Sequence, residues 1–199
     1  MVSCFEWIST FCPLVSHVLK TDDDMFINTD LLLEKLHSTD TFTFYGFSYK
    51  HSRRVLRHGT EPKGMDKWAI DVQIYNESFY PPYVSGGAYV FTGDVAQEVY
   101  YNALETTYFQ IEDAFIGGFV RQVINATLIR IKYMFSYEYS PGDDMCNYMK
   151  YRSVHGLNSS ELIDLYKHNI MEGKLCGIPN SRSFPGRVVA DPGFPGPPR

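Results

Sequence analysis

The chain has 199 residues, of which 44% are hydrophobic and 16% aromatic, and its 18 basic and 23 acidic side chains give a net charge of −5. This length and composition predict one globular domain with a sizeable core. No basic face stands out, which argues against nucleic acid as the main partner. No apolar run reaches the roughly 18 residues that a membrane-spanning helix needs. Glu6 interrupts the apolar N-terminal stretch, which also lacks the basic residues of a signal peptide.

Hydrophobic periodicity predicts helices and strands over the first half of the chain. In chain order these are a short helix within residues 4–17, a strand at His17–Lys20, a helix at Leu31–Leu36, strands at Thr41–Tyr49 and Trp68–Ile74, and a helix at Asp94–Leu104. Asn28-Thr29-Asp30 precedes the second of these helices, and Asp94 begins the third; both positions carry side chains that are typical N-caps.

Three consecutive aspartates, Asp22, Asp23 and Asp24, follow the first predicted strand and precede a second apolar run. Adjacent carboxylates repel each other, so a fold that buries their flanks needs a cation nearby. Mg²⁺ and Mn²⁺ prefer oxygen ligands, and ligands of open α/β sheets bind at the carboxyl edge of the strands. The alternative is a solvated acidic turn, because Asp is depleted in strands and enriched in turns.

Two further stretches suggest binding loops. His51–Lys67 is the most basic part of the chain and contains Gly and Pro, so it predicts a loop that suits an anionic substrate such as a diphosphate, or else a solvated charged loop. In Tyr80-Pro81-Pro82-Tyr83 the prolines fix an extended backbone. Gly86 and Gly87 then allow close backbone approach. The tyrosines offer flat faces for a sugar ring or a base, and the alternative is a tight turn before a buried strand.

Glu112 and Asp113 stand between apolar residues within Phe109–Phe119. A carboxylate pair in apolar surroundings can have one pKa raised, which suits a general base. The alternative is that both carboxylates interact with the dipole of a helix that continues over Phe115–Ile124.

The remaining sequence predicts strands at Thr127–Phe135 and Tyr148–His155, a helix capped by Ser159 or Ser160 that runs through Ile170, and a disordered Pro/Gly-rich tail at residues 180–199. Three N-x-[ST] sequons, at Asn76, Asn125 and Asn158, suggest the secretory pathway. The four cysteines form no C-x-x-C pair, which argues against a zinc site. They either form disulfides, with three possible pairings, or are free buried thiols.

Three stretches in this order resemble one family: Lys20–Asn28, Tyr80–Val90 and Glu112–Gly117. Supporting residues are Glu6-Trp7, Cys12-Pro13, Lys67-Trp68 and Tyr151–His155. The set is similar to the β-1,3-galactosyltransferase and β-1,3-N-acetylglucosaminyltransferase family, glycosyltransferase family 31, over roughly residues 5–176. The resemblance implies an α/β fold with a GT-A-like mixed sheet flanked by helices, with residues 1–179 as the C-terminal part of a catalytic domain that lacks its N-terminal part.

The family's activity would be an inverting transfer of galactose or N-acetylglucosamine from a UDP-sugar to a glycan hydroxyl, in β-1,3 linkage, during protein or lipid glycosylation. By resemblance, Asp113 is the catalytic base with Glu112 beside it, and Asp24 and His155 hold Mn²⁺. Asp113 and Asp24 are expected to face each other across the sugar. The donor would be bound by six residues: Asp22, Asp23, Trp68, Tyr83, Gly86 and Gly87.

Some positions depart from the family pattern. The family often has Cys where Val84 and Phe119 stand, which suggests one lost disulfide, while Cys146 and Cys176 match another family pair. The family also carries a cytoplasmic tail, a signal anchor, a stem and uridine-binding βα units before the position of Met1. The resemblance therefore implies the luminal side of the Golgi membrane, with attachment only through an anchor missing from this sequence. The alternatives are an inactive relative that serves as a binding or structural module, and an unrelated metal-dependent hydrolase.

Overall fold

The computed structural model describes residues 1–36, 40–48, 53–59, 65–134 and 145–172, with the backbone alone at 145 and 168–172. The chain divides into two compact units. One comprises Met1–Asp22 with Glu34–Met134, and the other comprises Asp23–Leu33 with Phe135–Arg199. None of the helices in these described ranges is long and apolar enough to cross a membrane.

The strands are β1 (His17–Thr21), β2 (Phe26–Ile27), β3 (Thr43–Ser48), β4 (Val84–Thr92), β5 (Thr127–Arg130) and β6 (Ser153–Val154). The α-helices are α1 (Val2–Phe11), α2 (Thr29–Leu33), α3 (Val95–Glu105), α4 (Glu112–Ala114), α5 (Arg121–Val123) and α6 (Ser159–Glu172). A π-helical segment, Phe115–Val120, connects α4 to α5, and 3₁₀ turns lie at Asp66–Trp68 and Met145–Asn147.

The first unit contains a four-stranded sheet in the order β1-β4-β3-β5. The pairs β1–β4 and β3–β4 are antiparallel, and β3–β5 is parallel. Every residue of β3 is buried, as expected for an inner strand covered on both faces. Phe5 of α1 packs on Phe91 of β4 with ring centroids 5.0 Å apart. The predicted α/β fold with a mixed sheet flanked by helices is confirmed.

The helical segment Glu112–Val123 lies close to β4 because two glycines leave room for it. A Cβ at Gly117 would stand 2.8 Å from Val84 Cγ2, and one at Gly118 would stand 3.2 Å from Pro81 Cγ. Arg121 fastens the far end of the segment, since its guanidinium donates to the carbonyls of Gly117, Ala126 and Pro82 at 3.0, 2.8 and 3.3 Å. This packing fixes the acidic start of the segment against the sheet.

The second unit contains the antiparallel pair β2–β6, in which Phe26 is opposite Val154 and Ile27 is opposite Ser153. Asn28 extends the pairing by donating its N–H to the Arg152 carbonyl at 2.8 Å. Its side-chain oxygen accepts the N–H of Leu31 at 3.2 Å, so the predicted cap of α2 is confirmed, although that helix ends at Leu33. The apolar side of the pair packs with Tyr148, Met149, Leu157 and Leu165.

The predicted strand Trp68–Ile74 is wrong. Its first residue ends a 3₁₀ turn, and Val72 and Ile74 are 57% and 60% exposed, so their alternation does not correspond to a buried face. Asp71 explains the difference, because its carboxylate accepts the N–H of Gln73 at 2.8 Å and stabilises a local turn. The strands predicted over Thr127–Phe135 and Tyr148–His155 are present only as the shorter β5 and β6.

Two caps also differ from prediction. Asp94 stands at the N-cap of α3, but its carboxylate accepts the N–H of Phe42 at 3.0 and 3.1 Å instead of a helix N–H. The α6 helix is capped by Asn158, whose side-chain oxygen accepts the N–H groups of Ser160 and Glu161 at 3.0 and 3.1 Å. The predicted caps Ser159 and Ser160 are helical residues.

Cys4 and Cys12 are free thiols, and Cys146 is disulfide-bonded. Its predicted partner Cys176 lies outside the described residues, so that pairing stays a prediction. The predicted tail at 180–199 and the boundary at residue 179 also lie outside them.

Candidate functional site

The first candidate group is the Asp113 carboxylate, at the start of the helical segment that packs on β4. Its Oδ2 accepts the N–H of Gly86 at 3.0 Å, and its Oδ1 accepts the N–H of Ala114 at 2.8 Å. A Cβ at Gly86 would lie 3.1 Å from Oδ2 and 3.2 Å from the Asp113 Cβ. The sequence predicted that Gly86 allows another group to come close to its backbone. In the structure that group is the Asp113 side chain.

The pKa of Asp113 is raised to about 6, chiefly by burial and also by the charge of Glu112, while the N–H donors of Ala114 and Gly86 and the charge of Lys20 oppose the rise. A carboxylate whose pKa lies close to neutral pH is suited to accept a proton and release it again. Glu112 and Asp113 also lie in the first turn of α4. The pair is therefore both a candidate general base and a pair of carboxylates at a helix N-terminus.

Glu112 is held by two groups from the sheet. Tyr89 donates its hydroxyl to Glu112 Oε1 at 2.8 Å, and burial raises the pKa of Tyr89 well above its usual range, so the phenol remains a donor. Lys20 Nζ lies 3.6 Å from Glu112 Oε2. The negative charge of Glu112 is therefore partly offset by Lys20 of β1, and Tyr89 of β4 adds a hydrogen bond.

Lys20 is the functional candidate that the sequence analysis missed. Its ammonium group lies 2.6 Å from Asp22 Oδ1 and 2.6 Å from the Gly86 carbonyl oxygen, and its side chain is 15% exposed. The aspartate cluster requires a cation nearby, and for Asp22 this lysine is one. The available signal was a lysine on the same side of β1 as Val18, a partly buried residue that packs against the core.

Asp22 pairs with the second glycine of β4, because its N–H donates to the Gly87 carbonyl at 3.0 Å. Its side chain remains 46% exposed and accessible to a ligand. The structure thus brings together five predicted site residues of the first unit: Asp22, Gly86, Gly87, Glu112 and Asp113.

The second unit brings together the two predicted metal ligands. Asp24 Oδ2 and His155 Nε2 are 3.2 Å apart, and their side chains are 47% and 39% exposed. The antiparallel register explains the contact, since Asp24 precedes β2 on the side where His155 follows β6. Within the described ranges no cluster of three or more His, Cys, Asp or Glu side chains is placed to hold a metal. The predicted facing of Asp24 and Asp113 across a sugar stays a prediction, and Asp23 is an exposed residue of this unit.

The aromatic candidates differ from each other. Trp68 is 41% exposed, with the Lys67 ammonium 4.0 Å from the centre of a ring. Tyr80 and Tyr83 are only 5% and 8% exposed, and their rings meet edge to face at 5.9 Å. The structure favours the alternative for these tyrosines, a turn before a buried strand, because the core covers the faces that a sugar would stack on.

One described residue of the predicted basic loop, Arg57, binds backbone carbonyls and not the expected anion. The Arg57 guanidinium donates to the carbonyls of Ile70, Tyr75 and Glu77 at 3.0, 2.8 and 2.8 Å, so this cation ties together the turn that follows it. Residues 49–52 and 60–64, which include much of the predicted loop, lie outside the described ranges.

Comparison with known proteins identifies the family of the chain. The family model described as Galactosyltransferase matches residues 1–131. The chain is 34% identical to "Beta-1,3-galactosyltransferase 5" of Pan troglodytes over 170 residues, covering 81% of this chain and 53% of that protein. It is 41% identical to the Homo sapiens protein of the same name over 116 residues, covering 56% and 35% respectively.

A third relative is "Beta-1,3-galactosyltransferase 1" of Mus musculus, which is 30% identical over 168 residues that cover 79% of this chain and 46% of that protein. The chain thus spans about half the length of the curated relatives it matches. The residues matched by the family model include Lys20 of β1 and the acidic start of the helical segment that packs on β4. By this match the chain belongs to the galactosyltransferase family.

Proposed function

We propose that the chain carries the catalytic residues of a metal-dependent, inverting β-1,3-hexosyltransferase that transfers galactose or N-acetylglucosamine from a UDP-sugar to a glycan hydroxyl. The observation that carries the proposal is the Asp113 carboxylate, which is held by Gly86 and Ala114 and has a pKa of about 6. Galactose is the favoured sugar, because the relatives are named as β-1,3-galactosyltransferases.

Asp113 acts as the general base in this proposal. Each carboxylate oxygen can accept about two hydrogen bonds, so the single N–H bond to each oxygen leaves capacity for the proton of an acceptor hydroxyl. As that proton moves to Asp113, the acceptor oxygen attacks the anomeric carbon of the donor. The bond from that carbon to the UDP oxygen breaks with its electron pair on UDP, and the configuration inverts.

Asp24 and His155 fit a Mn²⁺ site in part, since a carboxylate oxygen and an imidazole nitrogen 3.2 Å apart are both suitable donors. Two protein ligands leave positions for a diphosphate and water, and the bound ion would neutralise charge on the leaving UDP. Asp22, Asp23, Trp68, Gly86 and Gly87 are the proposed donor contacts, with Tyr83 supporting them from the core.

We also place the protein in the Golgi lumen. The sequon residues Asn76, Asn125 and Asn158 are all exposed, as glycosylation requires. A disulfide-bonded Cys146 suits an oxidising compartment. The acceptor would be a glycoprotein or glycolipid glycan.

Two measurements on the purified chain test the proposal. Isothermal titration with UDP should show binding in Mn²⁺ that EDTA and Asp24→Ala abolish. Transfer from UDP-galactose to an oligosaccharide acceptor should be lost in Asp113→Asn, while that variant still binds UDP. Full transfer by Asp113→Asn would remove the base assignment, and UDP binding without any transfer by the wild-type chain would favour a binding module instead.

A further inference from the structure

The strongest observation outside the proposed catalytic groups is the network around Lys20. Its ammonium group contacts the Asp22 carboxylate just after its own strand, the carbonyl of Gly86 on β4, and Glu112 on α4, at 2.6, 2.6 and 3.6 Å. It also lies 5.9 Å from the centre of the Tyr89 ring, which is its cross-strand partner. One cation therefore joins three separate parts of the first unit.

We propose that Lys20 is a positioning residue that ties the acidic start of α4 to β4 and keeps the Asp113 carboxylate in place as a proton acceptor. The link to Asp113 passes through two neighbours. The Gly86 residue whose carbonyl accepts from Lys20 donates its own N–H to Asp113, and Glu112 precedes Asp113 in the chain. The role rests on the proposed function only in taking Asp113 as the base.

The charges around Asp113 show how Lys20 would act. The titratable groups that interact with it are Glu112 on its own helix, Lys20 on β1, Tyr89 on β4, and Tyr80 before β4. Lys20 is the cation that lowers the pKa of Asp113 in this set, against burial and the charge of Glu112. Without it, the carboxyl would hold its proton to a higher pH and would be a base over a narrower range.

The test is a direct titration of the Asp113 carboxyl, which needs no enzymatic turnover. Carbon-13 NMR of the chain with carboxyl-labelled aspartate, with Asp113→Asn to assign the signal, should give a wild-type pKa of about 6. Lys20→Met should raise it by about one pH unit, and Lys20→Arg should leave it close to the wild-type value. Lys35→Met is the matched control, because Lys35 is exposed after α2. An unchanged Asp113 pKa in a folded Lys20→Met chain would overturn the proposal and leave Lys20 a purely structural role.

A second measurement tests the same proposal in the wild-type chain, in case Lys20→Met does not fold. In the wild-type chain, the nitrogen-15 signal of the Lys20 ammonium should shift with the midpoint of the Asp113 titration, and this shift should disappear in Asp113→Asn. A Lys20 signal that ignores the Asp113 titration would contradict the coupling. If the wild-type chain shows no sugar transfer but both NMR results are as expected, the proposed function is rejected and the positioning of Asp113 by Lys20 is supported.

Discussion

Replacing Asp113 by Asn should stabilise the fold at neutral pH even though it removes the proposed base. The pKa of this carboxyl rises from its ordinary value near 4 to about 6 in the folded chain. Because the folded state holds the proton more tightly than the unfolded state, stability falls as the pH rises from about 4 to about 6. A rise of about two units corresponds to about 3 kcal/mol at about 1.4 kcal/mol per unit, so this is the largest gain expected for Asp113→Asn above pH 7.

The assay is urea unfolding of wild type and Asp113→Asn, followed by circular dichroism at a series of pH values. The difference in unfolding free energy should be near zero at pH 4, grow between about pH 4 and 6, and level off above that range. Asp66→Asn is the control, because Asp66 is exposed at the start of a 3₁₀ turn and its replacement should change stability by no more than about 0.5 kcal/mol. A difference that is independent of pH, or a variant that is less stable at pH 8, would refute the assignment of a disfavoured charge at this position.

The other predictions concern packing and hydrogen bonds. Gly117→Ala should cost about 1–3 kcal/mol because its Cβ would stand 2.8 Å from Val84 Cγ2; the double variant with Val84→Ala should recover part of that loss in thermal unfolding, and full additivity would contradict the steric explanation. Arg57→Met should cost about 2–3 kcal/mol, since three carbonyls lose a charged donor. UDP binding, measured by titration, should be unchanged in this variant, whereas the loss of an anion-binding arginine would weaken it. Asn158→Ala should cost about 1 kcal/mol through loss of the α6 cap, whereas Ser159→Ala, measured in the same way, should have little effect.

The sequence predicted where the acidic candidates lie in the secondary structure, because their spacing and apolar flanks are local properties. Asp22 directly after β1, Gly86 and Gly87 in β4, and the start of a helix near Asp113 all lie where the local pattern places them. The contact between Asp24 and His155 was predicted only by resemblance, since it depends on the pairing of strands that are far apart in sequence.

In each error a polar side chain binds a partner that the pattern of apolar residues does not reveal. Asp71 forms a turn where apolar alternation predicted a strand, and the Asp94 carboxylate binds a distant N–H in place of its own helix. Arg57 looked like an anion ligand because its charge is visible in the sequence, whereas the three carbonyls it binds are not. Lys20 was missed for the same reason, since its partners come from β4 and α4.

The π-helical segment has a consequence for how relatives are compared. A π turn accommodates one more residue than an α turn, so the residues before and after Phe115–Val120 are offset by one position relative to a regular helix. Deleting one residue there would rotate one end against the other by about 100°. Asp113 could then not face Gly86 while Arg121 binds the Pro82 carbonyl. A correct alignment with a protein whose helix is regular therefore contains a one-residue gap within this segment. An alignment without the gap would match either Asp113 or Arg121 to the wrong residue of that protein.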